Sequence, residues 1–339
     1  MYSVGDKVVH PMHGAGTIEE IKEIEIVGKK RQYYVLKFAI GNMVTNVPIE
    51  NSEEIGIRPV IEKQEAKKAF SNLLLYLAVP AMVIHSYISK ADRSVLARLP
   101  QTFALSVLAI LAGLAITMLC TCRMKGKERP ILRFACIFSN AAYMGFPLIE
   151  ALFGAEGLIY ASVYVTVFNI LLWTVGFGMI TGTVKPKEVV RTVCTNPVLI
   201  AVVIGLVIYL CQIPVPEVIE QPLALIGNMN TPLSMIITGM MIAGSNLAQM
   251  LCDRRILSVV GIRMLLIPAV CFALFFACGF SGMAAGVVLL LEACPSAAIT
   301  SVFAVQYSYD EEFAAGSVVI TTLLSIVILP VCAMLLPGM

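Results

Sequence analysis

Few residues in this chain could do chemistry, and they sit where polar chemistry is costly. Asn140, Gly145 and Pro147 interrupt the apolar run 131–153, and Glu292, Pro295 and Ser296 interrupt the apolar run 282–304. Each run is long enough to cross the hydrocarbon core, which takes about 20 residues of helix. Glycine costs a helix about 1 kcal/mol relative to alanine, and proline removes a backbone hydrogen bond. In hydrocarbon each freed polar group costs several kcal/mol, so such breaks persist only inside protein or beside a watery cavity. A broken helix exposes a half-helix N-terminus, whose unpaired N–H groups carry about half a positive charge and attract anions. Asn140 can add a side-chain NH2 there, or it can satisfy a freed backbone group. Gly145 and Pro147 are expected to shape the first break and Pro295 the second, with Ser296 offering a hydroxyl. An ionisable group within the bilayer is a functional candidate by default, so Glu292 is a candidate for proton exchange, or else a cap. These six residues are the candidate substrate-binding and proton-coupling set.

Other chemistries find no support in the residues. No Gly-x4-Gly-Lys-Ser/Thr stretch is present to bind a nucleotide. The ten cysteines all lie at or after Cys120, mostly in apolar runs, and read as small buried residues. His10 and His13 flank a Pro and a Met with no carboxylate at ligand spacing. No Ser/His, paired-Asp or His-Glu-x-x-His arrangement points to an enzyme, and no cofactor or metal is expected.

The elements that must position the six residues fall into two regimes. The chain has 339 residues and is 14% charged, yet residues 1–68 hold 20 of its 46 formal charges. Beyond them lie nine apolar runs, approximately 69–89, 102–122, 131–153, 157–179, 194–211, 222–246, 256–278, 282–304 and 311–336. The expected fold is therefore an all-α polytopic membrane protein of nine transmembrane helices over 69–339. Arg123, Lys125, Lys127, Arg129 and Arg133 follow the second run, Lys185, Lys187 and Arg191 the fourth, and Arg254 and Arg255 the sixth. The alternate loops hold Lys90, Arg93 and Arg98. The crowded loops belong in the cytoplasm, which puts the N-terminus inside and the C-terminus outside. Arg263 lies close enough to the cytoplasmic end of the seventh run to snorkel, with anion binding as the other reading. Glu150 is expected at the outer interface, His85 as a satisfied polar residue, and Asn72 and Tyr76 as partners of neighbouring helices.

The interrupted runs are the third and eighth. An odd separation gives them opposite orientations, as an inverted repeat requires, and such pairs mark a solute site near the bilayer midplane. Runs one to four match six to nine, so the plan is five plus five with one leading helix absent. Residues 1–61 read instead as strands at 7–10, 17–27, 31–39 and 43–49 separated by Gly14/Gly16, Gly28-Lys29-Lys30 and Gly41-Asn42, a small all-β barrel of SH3 or Tudor type. Residues 62–68 form the junction.

Both regions resemble known families. Met1 to Gly16, Tyr34-Val-Leu-Lys-Phe38 and Pro48-Ile-Glu-Asn51 resemble the RNA-polymerase-interaction domain of CarD-type bacterial transcription regulators. The likeness ends near Arg58-Pro59-Val60, without the helical DNA-binding half. Residues from about 66 to 339 resemble the auxin efflux carrier family, whose bacterial members are often called malate or organic-acid permeases. Ser71 to Met82, Asn140-Ala-Ala-Tyr-Met-Gly145-Phe-Pro147-Leu148, Asn196-Pro197 and Ala293-Cys-Pro295-Ser296 carry that likeness. It implies a multi-pass protein of the bacterial inner membrane that carries small organic anions by alternating access, the carboxylate lying where the broken helices cross. It also implies a scaffold, here helices 1, 5 and 6, that forms a homodimer, and a moving part of helices 2–4 and 7–9. The competing readings are a membrane-tethered regulator that binds RNA polymerase through residues 1–61, and an inactive fusion joined near residues 60–68.

Overall fold

The computed structural model of the chain describes residues 2–26, 29–38, 43–61, 63–88, 94–182, 190–191, 194–243 and 246–336. Gly28, Gly41 and Asn42, and the loop cations Lys90, Arg93, Lys185 and Lys187, lie outside the described residues. The chain divides into two compact units, Met1–Lys68 and Ala69–Met339.

The first unit is a five-stranded antiparallel sheet built from β1 (Lys7–His10), β2 (Gly14–Ile26), β3 (Lys29–Phe38), β4 (Val44–Pro48) and β5 (Arg58–Pro59), in the order β4-β3-β2-β1-β5. The expected barrel is thus present as a sheet with β4 and β5 at its edges. Alternation in β3 sends Tyr34, Leu36 and Phe38 to one face, where they join Val8, Ile18, Val47 and Ile57 in the core. Gly16 lies under β3 so closely that a Cβ would stand 2.9 Å from the Lys37 carbonyl. Lys29 and Lys30, expected in a turn, instead begin β3, and the Lys30 ammonium lies 3.4 Å from Glu23.

The second unit is helical. Among the described residues six helical stretches are long and apolar enough to cross a membrane: Glu65–Ile88, Ala97–Cys120, Ala141–Thr181, Glu217–Ile242, Arg254–Ala277 and Glu311–Leu335. Pro197–Cys211 and Met283–Ala293 are apolar but shorter. The nine-run pattern therefore maps unevenly onto helices. Ala141–Thr181 has 41 residues, about 62 Å if straight and about twice a bilayer core. Gly154 breaks it, at φ 61 and ψ −153, a conformation open to glycine. Large apolar side chains such as Val203, Leu210, Ile326 and Val331 stay exposed along these helices, as lipid-facing surfaces require. Asn72 and Tyr76 lie on the exposed face of the first helix. His85 does find a partner, with Nε2 4.0 Å from Glu220.

Candidate functional site

Two short extended segments deep in the helical unit lie against each other. Helix Arg129–Ile137 ends at Phe138, whose ψ of 120 is extended, and helical structure resumes at Ala141. Helix Met283–Ala293 ends at Cys294, with ψ 151, and resumes at Ile299–Gln306. The second break has a local cause, because proline drives the residue before it out of the helical region, and Pro295 follows Cys294. The first has none in its own sequence.

The two segments satisfy each other's backbone. Ser139 stands opposite Ser296 as an antiparallel bridge. The Asn140 N–H donates to the Pro295 carbonyl at 2.7 Å, and the Ala297 N–H donates to the Phe138 carbonyl at 2.9 Å. Ser296 is held further: its N–H donates to Thr321 Oγ1 at 3.1 Å and its hydroxyl to the Ala135 carbonyl at 2.8 Å. This is the pairing that irregular backbone needs at membrane depth.

The helix ends that stop at the crossing leave carbonyls unpaired and carry the negative end of the helix dipole. Arg263 answers both helices at once. Its Nε donates to the Cys294 carbonyl at 3.0 Å, and its Nη1 to the carbonyls of Cys136 at 3.2 Å and Ile137 at 3.0 Å. Nη1 also meets Glu292 Oε1 at 3.0 Å, and Nη2 donates to the Glu292 carbonyl. Arg263 is fully buried, so the expectation that it snorkels is overturned: two converging C-termini and a carboxylate offer a buried cation more than the interface does. Glu292 is buried as well, and its Oε2 accepts from the Tyr164 hydroxyl at 2.7 Å. Tyr164 in turn lies 3.2 Å from Ser139 Oγ, back in the first break.

The sequence-derived set meets this geometry unequally. Asn140 opens the half-helix after the first break, is 6% exposed, and its side chain caps no amide. Pro295 and Ser296 lie in the crossing itself. Gly145 and Pro147, expected to shape the break, lie beyond it: Gly145 closes a π-helical turn, Ala141–Gly145, and Pro147 stands in the first turn of Phe146–Leu171. The physical need at Gly145 is close approach, because a Cβ there would collide with Leu291 of the other crossing helix. Tyr164 is not among the residues the sequence singles out; Arg263 is, as a lone arginine inside an apolar run read as snorkelling or anion-binding.

The sequence profile of the membrane transport protein family matches residues 60–193 and 184–333, and that of the CarD-like/TRCF RID domain matches residues 2–61. A transporter of uncharacterized function, MJ1031 of Methanocaldococcus jannaschii, is 25% identical over 282 residues, covering 79% of this chain and 89% of the relative. A second uncharacterized transporter, from Methanothermobacter thermautotrophicus, is 26% identical over 207 residues, covering 60% of this chain and 67% of the relative. YdeB of Bacillus subtilis, named as a transcription factor, is 45% identical over 62 residues, 18% of this chain. The chain spans 40% of the length of YdeB. With that profile matched over most of the chain, around the paired breaks, the chain belongs to the membrane transport protein family, of auxin efflux carrier type, and carries a CarD-like domain at its N-terminal end.

Proposed function

We propose that this protein is a secondary transporter that moves small organic anions, malate-like or auxin-like carboxylates, across the bacterial inner membrane by alternating access. The observation that carries the reading is the antiparallel pairing of Ser139 with Ser296, where two interrupted helices meet. Their first halves end on Arg263, and the second half of the first helix begins just after Asn140. The amides of Ala141, Ala142 and Tyr143 have no carbonyl behind them within the helix, and Asn140 stands at their head. A carboxylate at this point receives side-chain and backbone donors together. Pro295 and Ser296 hold the crossing in shape around it, and Gly145 lets Leu291 of the other crossing helix approach closely.

Nine crossings follow when Ala141–Thr181 is divided at Gly154 and the paired pieces Arg129–Ile137/Ala141–Phe153 and Met283–Ala293/Ile299–Gln306 each count once. The antiparallel pairing of the two breaks supports the inverted repeat. In that frame the N-terminal domain is cytoplasmic, the C-terminus lies outside, and helices 1, 5 and 6 supply a homodimer contact. Glu292, buried and 3.0 Å from Arg263 Nη1, is the residue assigned to proton coupling. Residues 2–61, matched to the CarD-like/TRCF RID domain, support a contact with RNA polymerase as a second role. Co-purification of polymerase, lost on deleting residues 1–61, tests that role.

Transport itself is tested in proteoliposomes loaded with radiolabelled organic anions. Asn140→Ala is expected to lower uptake about tenfold, since a hydrogen bond to a charged group contributes about 1.5–3 kcal/mol. Equal flux through both proteins would remove Asn140 from the site.

A further inference from the structure

Away from the crossing, the helical unit concentrates positive charge at one helix junction. Between helix Ser94–Cys120 and the body of helix Arg129–Ile137 stand Arg123, Lys125, Lys127, Arg129 and Arg133, five cations within 11 residues. Glu128 is the one acid among them, and its Oε2 is occupied by the Asp310 N–H at 2.9 Å. Among the described residues no carboxylate forms an ion pair with any of the five.

Cations that only fix the orientation of a membrane protein can stay in water. Arg123, Lys125 and Lys127 do so, but Arg129 and Arg133 are half-buried. The two stand one turn apart on one helix, a spacing at which like charges destabilise each other. Arg129 also opens that helix, at the positive end of its dipole, where a cation is disfavoured and no side chain caps the amides. Its Nε is buried without a hydrogen-bond partner. Arg133 spends its bonds on uncharged groups, giving Nε to Thr121 Oγ1 at 2.8 Å and Nη2 to the Thr121 carbonyl at 3.4 Å. Repulsion, dipole and orphaned donor are three separate costs. One anion beside the two guanidinium groups offsets all of them.

The surroundings indicate which anion. Leu108, Leu111 and Leu119 of the preceding helix stay exposed, Leu119 at 73%, which makes that helix lipid-facing up to its end. The bonds from Arg133 to Thr121 bring the arginine pair to the same end. Paired guanidinium groups suit the oxygens of a phosphate, and basic clusters beside a membrane span attract acidic lipid. A zwitterionic headgroup would bring its ammonium against Lys125 and Lys127. We infer that Arg129 and Arg133 hold the phosphate of an acidic phospholipid, with Arg123, Lys125 and Lys127 as the rim of the site. The inference is independent of what the protein carries.

The test follows thermal unfolding of the full chain in uncharged detergent while phosphatidylglycerol, phosphatidylcholine or inorganic phosphate is titrated in. Phosphatidylglycerol is expected to raise the melting temperature with a saturating dose, as a ligand of the folded state does, and the other two to leave it unchanged. Arg129→Gln is expected to raise the half-saturating phosphatidylglycerol concentration about tenfold. Without lipid the same variant should melt at or above the wild-type temperature, because a repulsion has been removed. Arg129→Lys, which keeps the charge but loses the paired donors, should fall between the two. An equal rise with phosphatidylcholine would overturn the preference for acidic lipid, and an equal rise with inorganic phosphate would overturn the lipid source. Unaltered half-saturation in Arg129→Gln would remove the site. A lower melting temperature of lipid-free Arg129→Gln would show that the arginine is already satisfied within the fold, and would overturn the inference as well.

Discussion

Helix Met283–Ala293 stops where Pro295 pushes Cys294 to ψ 151, whereas helix Arg129–Ile137 stops at Phe138 with no proline nearer downstream than Pro147. One break is written into its own residues; the other exists because a partner strand and a guanidinium receive what it exposes. The crossing is therefore asymmetric in cause although each segment pairs with the other. A helix can be interrupted by removing a bond from within or by offering a better bond from outside, and this molecule uses both.

The sharpest way to break that comparison is Arg263→Ala. It strands a buried carboxylate and the terminal carbonyls of both helices, and breaking a buried pair in this way costs about 3–5 kcal/mol. Thermal unfolding in detergent is expected to fall steeply, and an unshifted transition would mean that the breaks hold without a shared cation. A smaller effect is expected from Gly145→Ala, which forces its methyl against Leu291 in a filled space, at about 1–3 kcal/mol of overpacking. It should lower transport and stability together; a neutral result would show that the two crossing helices can slide apart at this point. The mildest is Pro147→Ala, at about 1 kcal/mol, because this proline is buried but stands clear of the extended segment. Pro295→Ala removes the local constraint on Cys294 and is expected to impair uptake clearly more than Pro147→Ala does. Equal impairment by the two, in the same proteoliposome assay, would erase the distinction between the breaks.

The same contrast explains what could be read from the residues alone. The strands of the first unit follow from alternating apolar positions such as Tyr34, Leu36 and Phe38, and Pro295 announces its own break. The motif Asn140 to Pro147 drew attention to the right region for a partly wrong reason: Gly145 answers to packing, and the interruption precedes both it and the proline. Arg263 was misread because its meaning is set by distant partners, one of them, Cys136, 127 residues away. A rule about depth in the membrane sees a cation near an edge. It cannot see two helix ends arriving from elsewhere in the chain. Helix lengths were blurred for a related reason, since apolar runs ignore the turn that Gly154 alone permits.

One guanidinium binding both interrupted helices has a mechanical result. Segments far apart in the chain are riveted into a single stiff part, so neither can tilt or slide without tearing the other's end loose. Any exchange of openness between the two membrane faces must then carry this knot along whole, with the give located in the helices around it.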